Sequence, residues 1–284
     1  MIPAAFDYSR ARTLADALKA VGTRNTKVIC GGQTLIPLMR FRLAQPKRLV
    51  DIGHLAQLKG VGKVKGGVRI GAATTYRELL ESKVLRTELP LLAEITAHIG
   101  DLQVRNAGSI GGGLVHADPA SDMPAAMLAL GASFALRSSR GKRVVAAKDF
   151  FRGAFETSMR PAELLIEIRV PSLARGTGAA YETFEQAASG YALVGAAAVV
   201  TLAKKKVAHA ALAFTGLADM PFLARAAAEL VGTDGGSAVV ERVAGNAVRG
   251  VQANADIHAT AEFRLHLANV AARRALLAAV ARAT

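Results

Sequence analysis

Two glycine-rich turns set the strongest limit on what this chain can build. Cys30-Gly31-Gly32-Gln33-Thr34 closes a short β-type run, Lys27-Val28-Ile29-Cys30, and Ser109-Ile110-Gly111-Gly112-Gly113 lies about 80 residues further on. Clustered glycines stand where backbone approaches something closely or takes a positive φ that other residues resist. Successive N–H groups in such a turn form a nest for an anion, most favourable where charge is dense, as on a diphosphate. The Thr34 and Ser109 hydroxyls add side-chain hydrogen bonds. Two such turns brought together would grip one diphosphate from both sides, although either alone reads equally as a tight turn.

Around these turns the pattern alternates helix and strand. Thr13–Val21 reads as an amphipathic helix with Ser9 or Thr13 as cap, and Leu35, Ile36, Leu38 and Met39 open another turn or helix. Leu49–Ile52 is a strand, and Val61–Val64 with Val68–Ile70 spells a hairpin across Gly66-Gly67. Residues 76–100 read as two helices broken at Pro90, and a helix begins near Asp122, with Asp as cap and Pro124 in its first turn. Strands follow at Ser133–Arg137 and Leu164–Val170. Ala174-Arg175-Gly176-Thr177-Gly178 marks a boundary, dividing the chain into residues 1–175 and 176–284. Beyond it, Ala192–Leu202 and Val207–Phe214 pair through the Lys204–Lys206 turn, and helices fill the rest. The last helix, Ala261–Ala283, sets Phe263, Leu267, Val270 and Leu277 against Arg264, Arg273 and Arg274. The fold class is α+β, in two units.

Several chemistries are excluded by what is missing. There is no G-x-G-x-x-G after a strand, no G-x-x-x-x-G-K-[ST], no H-E-x-x-H and no G-x-S-x-G. One cysteine, Cys30, makes no internal disulfide and cannot ligate an iron–sulfur cluster, which needs about four. No metal site is expected. The longest apolar run, Tyr191–Ala203, is shorter than the roughly 20 residues of a membrane span. With no secretory signal in view, a cytoplasmic location is expected. The net charge of +14 is lopsided. Residues 1–175 hold 26 basic and 14 acidic side chains, and residues 176–284 hold 10 and 8, which invites an anionic ligand or acidic partner on the first unit. The basic residues are scattered and carry no nucleic-acid-binding signature, so nucleic acid is not expected.

The second turn belongs to a longer segment, Gln103-Val104-Arg105-Asn106-Ala107-Gly108-Ser109-Ile110-Gly111-Gly112-Gly113, continuing through Asp118-Pro119-Ala120-Ser121-Asp122-Met123-Pro124. It resembles the QIRNxGTIGGN…DPxxDxP segment of the flavin-binding medium subunits of molybdenum hydroxylases. The first turn, with Leu35-Ile36-Pro37 after it, is similar to that family's AGGHSLIP. Ile2–Tyr8, Glu163–Pro171 and the stretch from Phe263-Arg264 to Leu276 are similar as well, so the resemblance covers essentially the whole chain. It is nearest to the carbon monoxide dehydrogenase type.

The resemblance implies a PCMH-type FAD-binding domain followed by a smaller α+β domain, with FAD held non-covalently. It implies that Cys30, Gly31, Gly32, Gln33 and Thr34 approach the FAD diphosphate, with Ser109, Ile110, Gly111, Gly112 and Gly113 as the opposite wall. It further implies that Asp122 accepts hydrogen bonds from the sugar-alcohol of FAD, that Leu165 lies in a strand presenting backbone to the flavin, and that Tyr191 lies by the isoalloxazine ring. The implied partners are a molybdopterin-containing large subunit and a small subunit with two 2Fe–2S clusters. Electrons would leave through FAD to a quinone or NAD. On the residues alone, Asp122 reads equally as a helix cap, Tyr191 as core and Cys30 as a small buried side chain. His116 beside the second turn reads as a structural, hydrogen-bonded residue.

Three departures stand out: Gln33 where relatives often have His, Gly113 where they often have Asn, and Glu185–Gly190 where they carry basic residues and an aspartate. Two other readings stay open. One is a stand-alone reductase on the same fold, resembling UDP-N-acetylenolpyruvoylglucosamine reductase; the other is a basic, non-enzymatic binding protein that has lost FAD.

Overall fold

A computed structural model describes residues 2–283. The chain begins with β1 (Asp7–Arg10), α1 (Leu14–Val21), β2 (Thr26–Ile29), α2 (Leu35–Arg40) and β3 (Arg48–Asp51). The three strands are parallel, in the order β1-β3-β2. Thr13 starts α1 through a reciprocal cap: its hydroxyl accepts the Asp16 N–H at 3.1 Å, and the Asp16 carboxylate accepts the Thr13 N–H at 3.0 Å. β2 runs directly into Cys30, so the first glycine turn emerges at the carboxyl end of a parallel strand. That is the end at which open parallel sheets take ligands.

Next come β4 (Val61–Val64) and β5 (Gly67–Gly71), the expected hairpin, turning at Gly66 with φ +83°. Helices α3 (Tyr76–Glu81), α4 (Lys83–Glu88), α5 (Pro90–His98), α6 (Leu102–Ala107), α7 (Ile110–His116) and α8 (Asp122–Ala129) follow. Strands β6 (Ser133–Ser138), β7 (Gly141–Ala146), the short pair β8 (Phe151–Gly153) and β9 (Glu156–Thr157), and β10 (Leu164–Pro171) complete this part. The larger sheet is antiparallel, ordered β4-β5-β10-β6-β7, and the helices bury Leu79, Leu92, Ile95, Ile110, Leu114 and Met127 against it.

Three expectations change here. Residues 76–98 form three short helices, because Ser82 ends α3 and its hydroxyl caps α4 by accepting the Leu85 N–H at 3.2 Å. The segment 102–116, expected as turns, is helical. Asp101 caps α6 at 2.7 Å and Ser109 caps α7 at 3.3 Å, which offsets the poor helix propensity of three consecutive glycines. Asp122 is the first residue inside α8 with Ser121 at the cap position, so it does not cap the helix.

Between Pro171 and Thr177 the chain leaves the second sheet and enters the third. Strands β11 (Thr177–Glu185), β12 (Ala192–Ala203), β13 (Lys206–Thr215) and β14 (Phe222–Leu223) form an antiparallel sheet in chain order. The β12–β13 turn places Lys204 and Lys205 at φ 50° and 62°. Helices α9 (Ser237–Ala247) and α10 (Ala261–Arg282) cover one face. The buried stripe of α10 is Leu267, Ala268, Ala271, Ala272, Ala275, Leu276 and Ala279, while Phe263 stays half exposed. Small side chains win because the helix lies close to the sheet: a Cβ on Gly178 would overlap the Ala279 carbonyl. Among the described residues no helix is long and apolar enough to cross a membrane.

The third sheet is tied to the α7–α8 connection. Gly216 N–H donates to Pro119 O at 2.7 Å and Ala192 N–H to Ala120 O at 3.3 Å. Thr215 Oγ1 lies 2.9 Å from Pro119 O and 2.6 Å from Ser121 O. At the far end of α10, Arg282 pairs with Glu94 at 2.9 Å.

Candidate functional site

The two glycine turns meet. Gly31 packs so tightly on the backbone of Ala107 and Gly108 that a Cβ on it would overlap the Ala107 carbonyl oxygen and sit 2.8 Å from Gly108 Cα. The Ser109 side chain faces the Cys30 thiol, whose ionisation burial pushes upward. Gly32 has φ +70°, and a Cβ there would fall 2.7 Å from Ile36 Cδ1.

The turns differ in what they offer. Among the described residues, the N–H groups of Gly31, Gly32, Gln33 and Thr34 donate to no group of the chain. Gln33 folds back to donate its Nε2 to Gly31 O at 3.2 Å, leaving those N–H groups free. In the second turn the donors are used internally. Ile110 N–H bonds Thr74 O at 3.1 Å, Gly111 N–H bonds Ala72 O at 2.9 Å, Gly112 N–H bonds Ser109 Oγ at 3.3 Å and Gly113 N–H bonds Ser109 O at 3.1 Å. The second turn therefore packs closely on the chain's own Ala72 and Tyr76, while the first holds the free donors. A Cβ on Gly111 would fall 2.5 Å from Ala72 O, and one on Gly113 would overlap the Tyr76 hydroxyl, whereas Gly112 is exposed.

Leu165 joins the same neighbourhood through backbone. Its side chain is core and it pairs with Leu136 of β6, but the pairing of β10 with β5 covers only Glu167–Pro171, which leaves Leu165 without a β5 partner. The carbonyl of Ile166 accepts the Ala72 N–H at 3.2 Å, directly beneath Gly111.

Asp122 is 8% exposed, and its Oδ1 accepts the Tyr181 hydroxyl at 2.5 Å. Burial pushes its carboxyl up to about 6, with the charge of Glu185 adding to the rise. Tyr76, buried beside Gly113, is raised chiefly by burial and then by the negative charge of Asp122. Tyr191 is not core: it is 48% exposed, and burial of the rest of its ring with the charges of Asp118 and Asp122 raises its hydroxyl. It lines a cavity of about 340 Å³ with Asp118, Phe155, Gln186, His258 and Arg264. His116 lies against the Phe155 ring at 5.0 Å and 3.8 Å from Asp118, a half-buried structural residue whose protonation burial disfavours.

Three residues of this region carry no signal in the sequence. Tyr76 and Tyr181 stand in ordinary helix and strand contexts. Arg264 reads as the polar side of α10, yet it is 4% exposed and donates to Leu193 O, to Gly216 O at 3.0 Å and to Asp256 Oδ2 at 2.6 Å. The arginine only makes sense once β12, β13 and the 254–258 loop are folded around it.

Four N–H groups without a partner among the described residues, and the buried carboxylate of Asp122, suit a ligand with a diphosphate and a polyol. Comparison with known proteins agrees with that set. Residues 4–173 match the family model described as "FAD binding domain in molybdopterin dehydrogenase", and residues 179–279 match "CO dehydrogenase flavoprotein C-terminal domain". The chain is 38% identical to the carbon monoxide dehydrogenase medium chain of Afipia carboxidovorans, over 100% of this chain and 99% of the relative. It is 41% identical to the glyceraldehyde dehydrogenase medium chain of Sulfolobus acidocaldarius, over 79% of this chain and 80% of the relative. Among solved structures, a Cu,Mo-CO dehydrogenase in its cyanide-inactivated form superimposes with a TM-score of 0.96 at 38% identity, covering 99% of this chain and 100% of that one. Quinoline 2-oxidoreductase from Pseudomonas putida 86 gives 0.95 at 30% identity, covering 100% and 99%. Two glycine turns that meet, inside a chain matched from end to end, make this protein a member of the FAD-binding medium subunits of the molybdenum hydroxylases, the family of the carbon monoxide dehydrogenase medium chain.

Proposed function

We propose that this chain is the electron-transfer subunit of a molybdenum hydroxylase. It would work beside a molybdopterin-containing large subunit and a small subunit with two 2Fe–2S clusters, and would deliver electrons to a quinone or NAD. Residues 1–175 are the FAD-binding domain of the proposal and residues 176–284 the flavoprotein C-terminal domain. FAD, when bound, supplies the exchange between one-electron carriers and a two-electron acceptor.

The chain's own residues hold that group. The free N–H groups of Gly31–Thr34 take the diphosphate, with Cys30 closing the turn from behind. Ser109 and Ile110–Gly113 form the opposite wall, Asp122 accepts from the sugar-alcohol, Leu165 offers strand backbone, and Tyr191 screens the ring system at the cavity mouth. The departure at Glu185–Gly190 removes the basic residues and aspartate that relatives carry there, leaving Arg264 as the arginine of that cavity.

The observation that carries the proposal is the row of four N–H groups, Gly31–Thr34, without a partner among the described residues, in a turn whose Gly31 packs on Ala107 and Gly108. Purifying the native complex tests it. One FAD per chain, reduced by substrate only when the molybdenum and iron–sulfur subunits are present, is the expected result. A colourless chain that takes up no FAD, or an isolated chain that by itself turns over NAD(P)H with a small substrate, would overturn it.

A further inference from the structure

Asp122 is a costly residue to bury, and the chain devotes a specific side chain to it. Among the described residues Tyr181 is the only side chain hydrogen-bonded to its carboxylate, at 2.5 Å, and it comes from the other domain: Asp122 begins α8, whereas Tyr181 stands in β11. The tyrosine is itself seated. Opposite it in β12 lies Ala197, and two residues before that Gly195 makes room for the ring. A Cβ on Gly195 would overlap the Tyr181 hydroxyl oxygen and sit 2.7 Å from its Cζ. Burial and the neighbouring carboxylate push the Tyr181 hydroxyl well above its ordinary range, so it keeps its proton and acts as a donor at every physiological pH.

Other titratable groups face Asp122 without bonding it: His98 from the end of α5, Glu185 from β11, Tyr76 from α3, Tyr191 just before β12, and Asp118 close to Tyr191. His98 lies 3.7 Å from Glu185, so these two partly offset each other.

We propose that Tyr181 is a positioning residue for FAD binding: from the C-terminal domain it fixes one carboxylate oxygen of Asp122, so that the other is presented to the hydroxyls of the cofactor's sugar-alcohol. This rests on the reading of Asp122 as an FAD ligand. It makes cofactor affinity depend on the docking of the second domain, although that domain supplies none of the diphosphate-binding turns.

Titration of the full chain with FAD between pH 5 and 8, followed by flavin fluorescence, tests the proposal. The native chain, Tyr181→Phe, Gly195→Ala, Asp122→Asn and the double variant Asp122→Asn/Tyr181→Phe are compared, with the unfolding midpoint of each unliganded protein measured alongside. Native affinity is expected to fall as pH drops through about 6, where the carboxylate gains its proton. Tyr181→Phe is expected to bind about tenfold more weakly at pH 7, the typical cost of losing a hydrogen bond to a charged group. Its affinity should begin to fall at a higher pH, because the carboxylate has lost its stabilising donor. Gly195→Ala, which displaces the phenol without removing it, should behave alike, and Tyr181→Phe should add nothing once Asp122 is Asn. Native affinity and an unmoved pH midpoint in Tyr181→Phe would overturn the inference. So would an equal loss in the presence and absence of the Asp122 carboxylate, which would mean interface packing alone. Failure of the native chain to bind FAD at all would instead remove the underlying reading, and this one with it.

Discussion

The α-carbon of Gly31 is packed on the carbonyl of Ala107, leaving no space for a methyl group between the two cofactor turns. Both partners are backbone, so neither can swing aside. Gly31→Ala should therefore destabilise the chain by about 1–3 kcal/mol and separate the turns, abolishing FAD uptake. Gly62→Ala is the control: a Cβ there meets nothing within 4 Å, and the change should stay within about 0.5 kcal/mol. Thermal unfolding and flavin absorbance on the two variants distinguish a steric lock from a generally fragile domain.

Asp122 sets affinity against stability. Its carboxyl rises from the ordinary 3.8 to about 6 in the folded chain. Between those values the native state holds a proton that the unfolded chain has released, so stability is highest below the lower value and declines as pH rises towards 6. The decline amounts to about 3 kcal/mol. Asp122→Asn removes the titration. The unliganded variant should unfold at a higher temperature than the native protein at pH 7.5, with the gap closing near pH 4, while its FAD affinity drops. An unfolding midpoint that moves with pH in the same way in both proteins would refute this.

Gly113 and Tyr76 share one space. Because a Cβ on Gly113 would overlap the Tyr76 hydroxyl, Gly113→Ala should cost about 1–2 kcal/mol, and Tyr76→Phe in that background should restore most of it. A double-mutant cycle measures the coupling, expected at about 1 kcal/mol. Independent effects would mean that the turn shifts as a unit.

Arg264 is the tie beneath the Tyr191 cavity. Its guanidinium joins the start of β12 through Leu193 O, the end of β13 through Gly216 O, and the 254–258 loop through Asp256. Arg264→Ala leaves the carbonyls of Leu193 and Gly216 without their donor, while the exposed Asp256 carboxylate turns to water, and should cost about 2–4 kcal/mol. Arg264→Lys should recover little, since an ammonium has no planar fork to span them. Near-native unfolding of the lysine variant would argue against the fork.

The parts of this fold legible in the sequence are those specified locally. Thr13, one of two candidate caps, announces α1, and Gly66 and Lys204–Lys206 announce their hairpins. The two glycine turns pair on sequence grounds because few other features explain both. What is not legible depends on partners distant in the chain. The run Ile110-Gly111-Gly112-Gly113 reads as a turn, yet Ser109 caps a helix there, because the cap bond and the close fit on Ala72 outweigh the poor helix propensity of glycine. The alanine face of α10 is hidden behind larger residues such as Phe263, since how near a helix comes to a sheet is decided by both surfaces. Tyr181 and Arg264 acquire meaning only from Asp122 and from two carbonyl groups that β12 and β13 bring within reach.

The small parallel sheet at the start of the chain has two rims, and only one carries a proposed cofactor turn. Cys30 and Gly31 leave β2 at the carboxyl rim, while the connection Gly22–Asn25 enters it at the opposite one, exposed throughout. Insertions, affinity handles or a fluorescent reporter grafted at Thr23 or Arg24 would ride on the same rigid β2 as the cofactor turn yet stay a full strand length away. That makes this rim the natural anchorage for tethering the subunit to an electrode or a label while its redox face stays open.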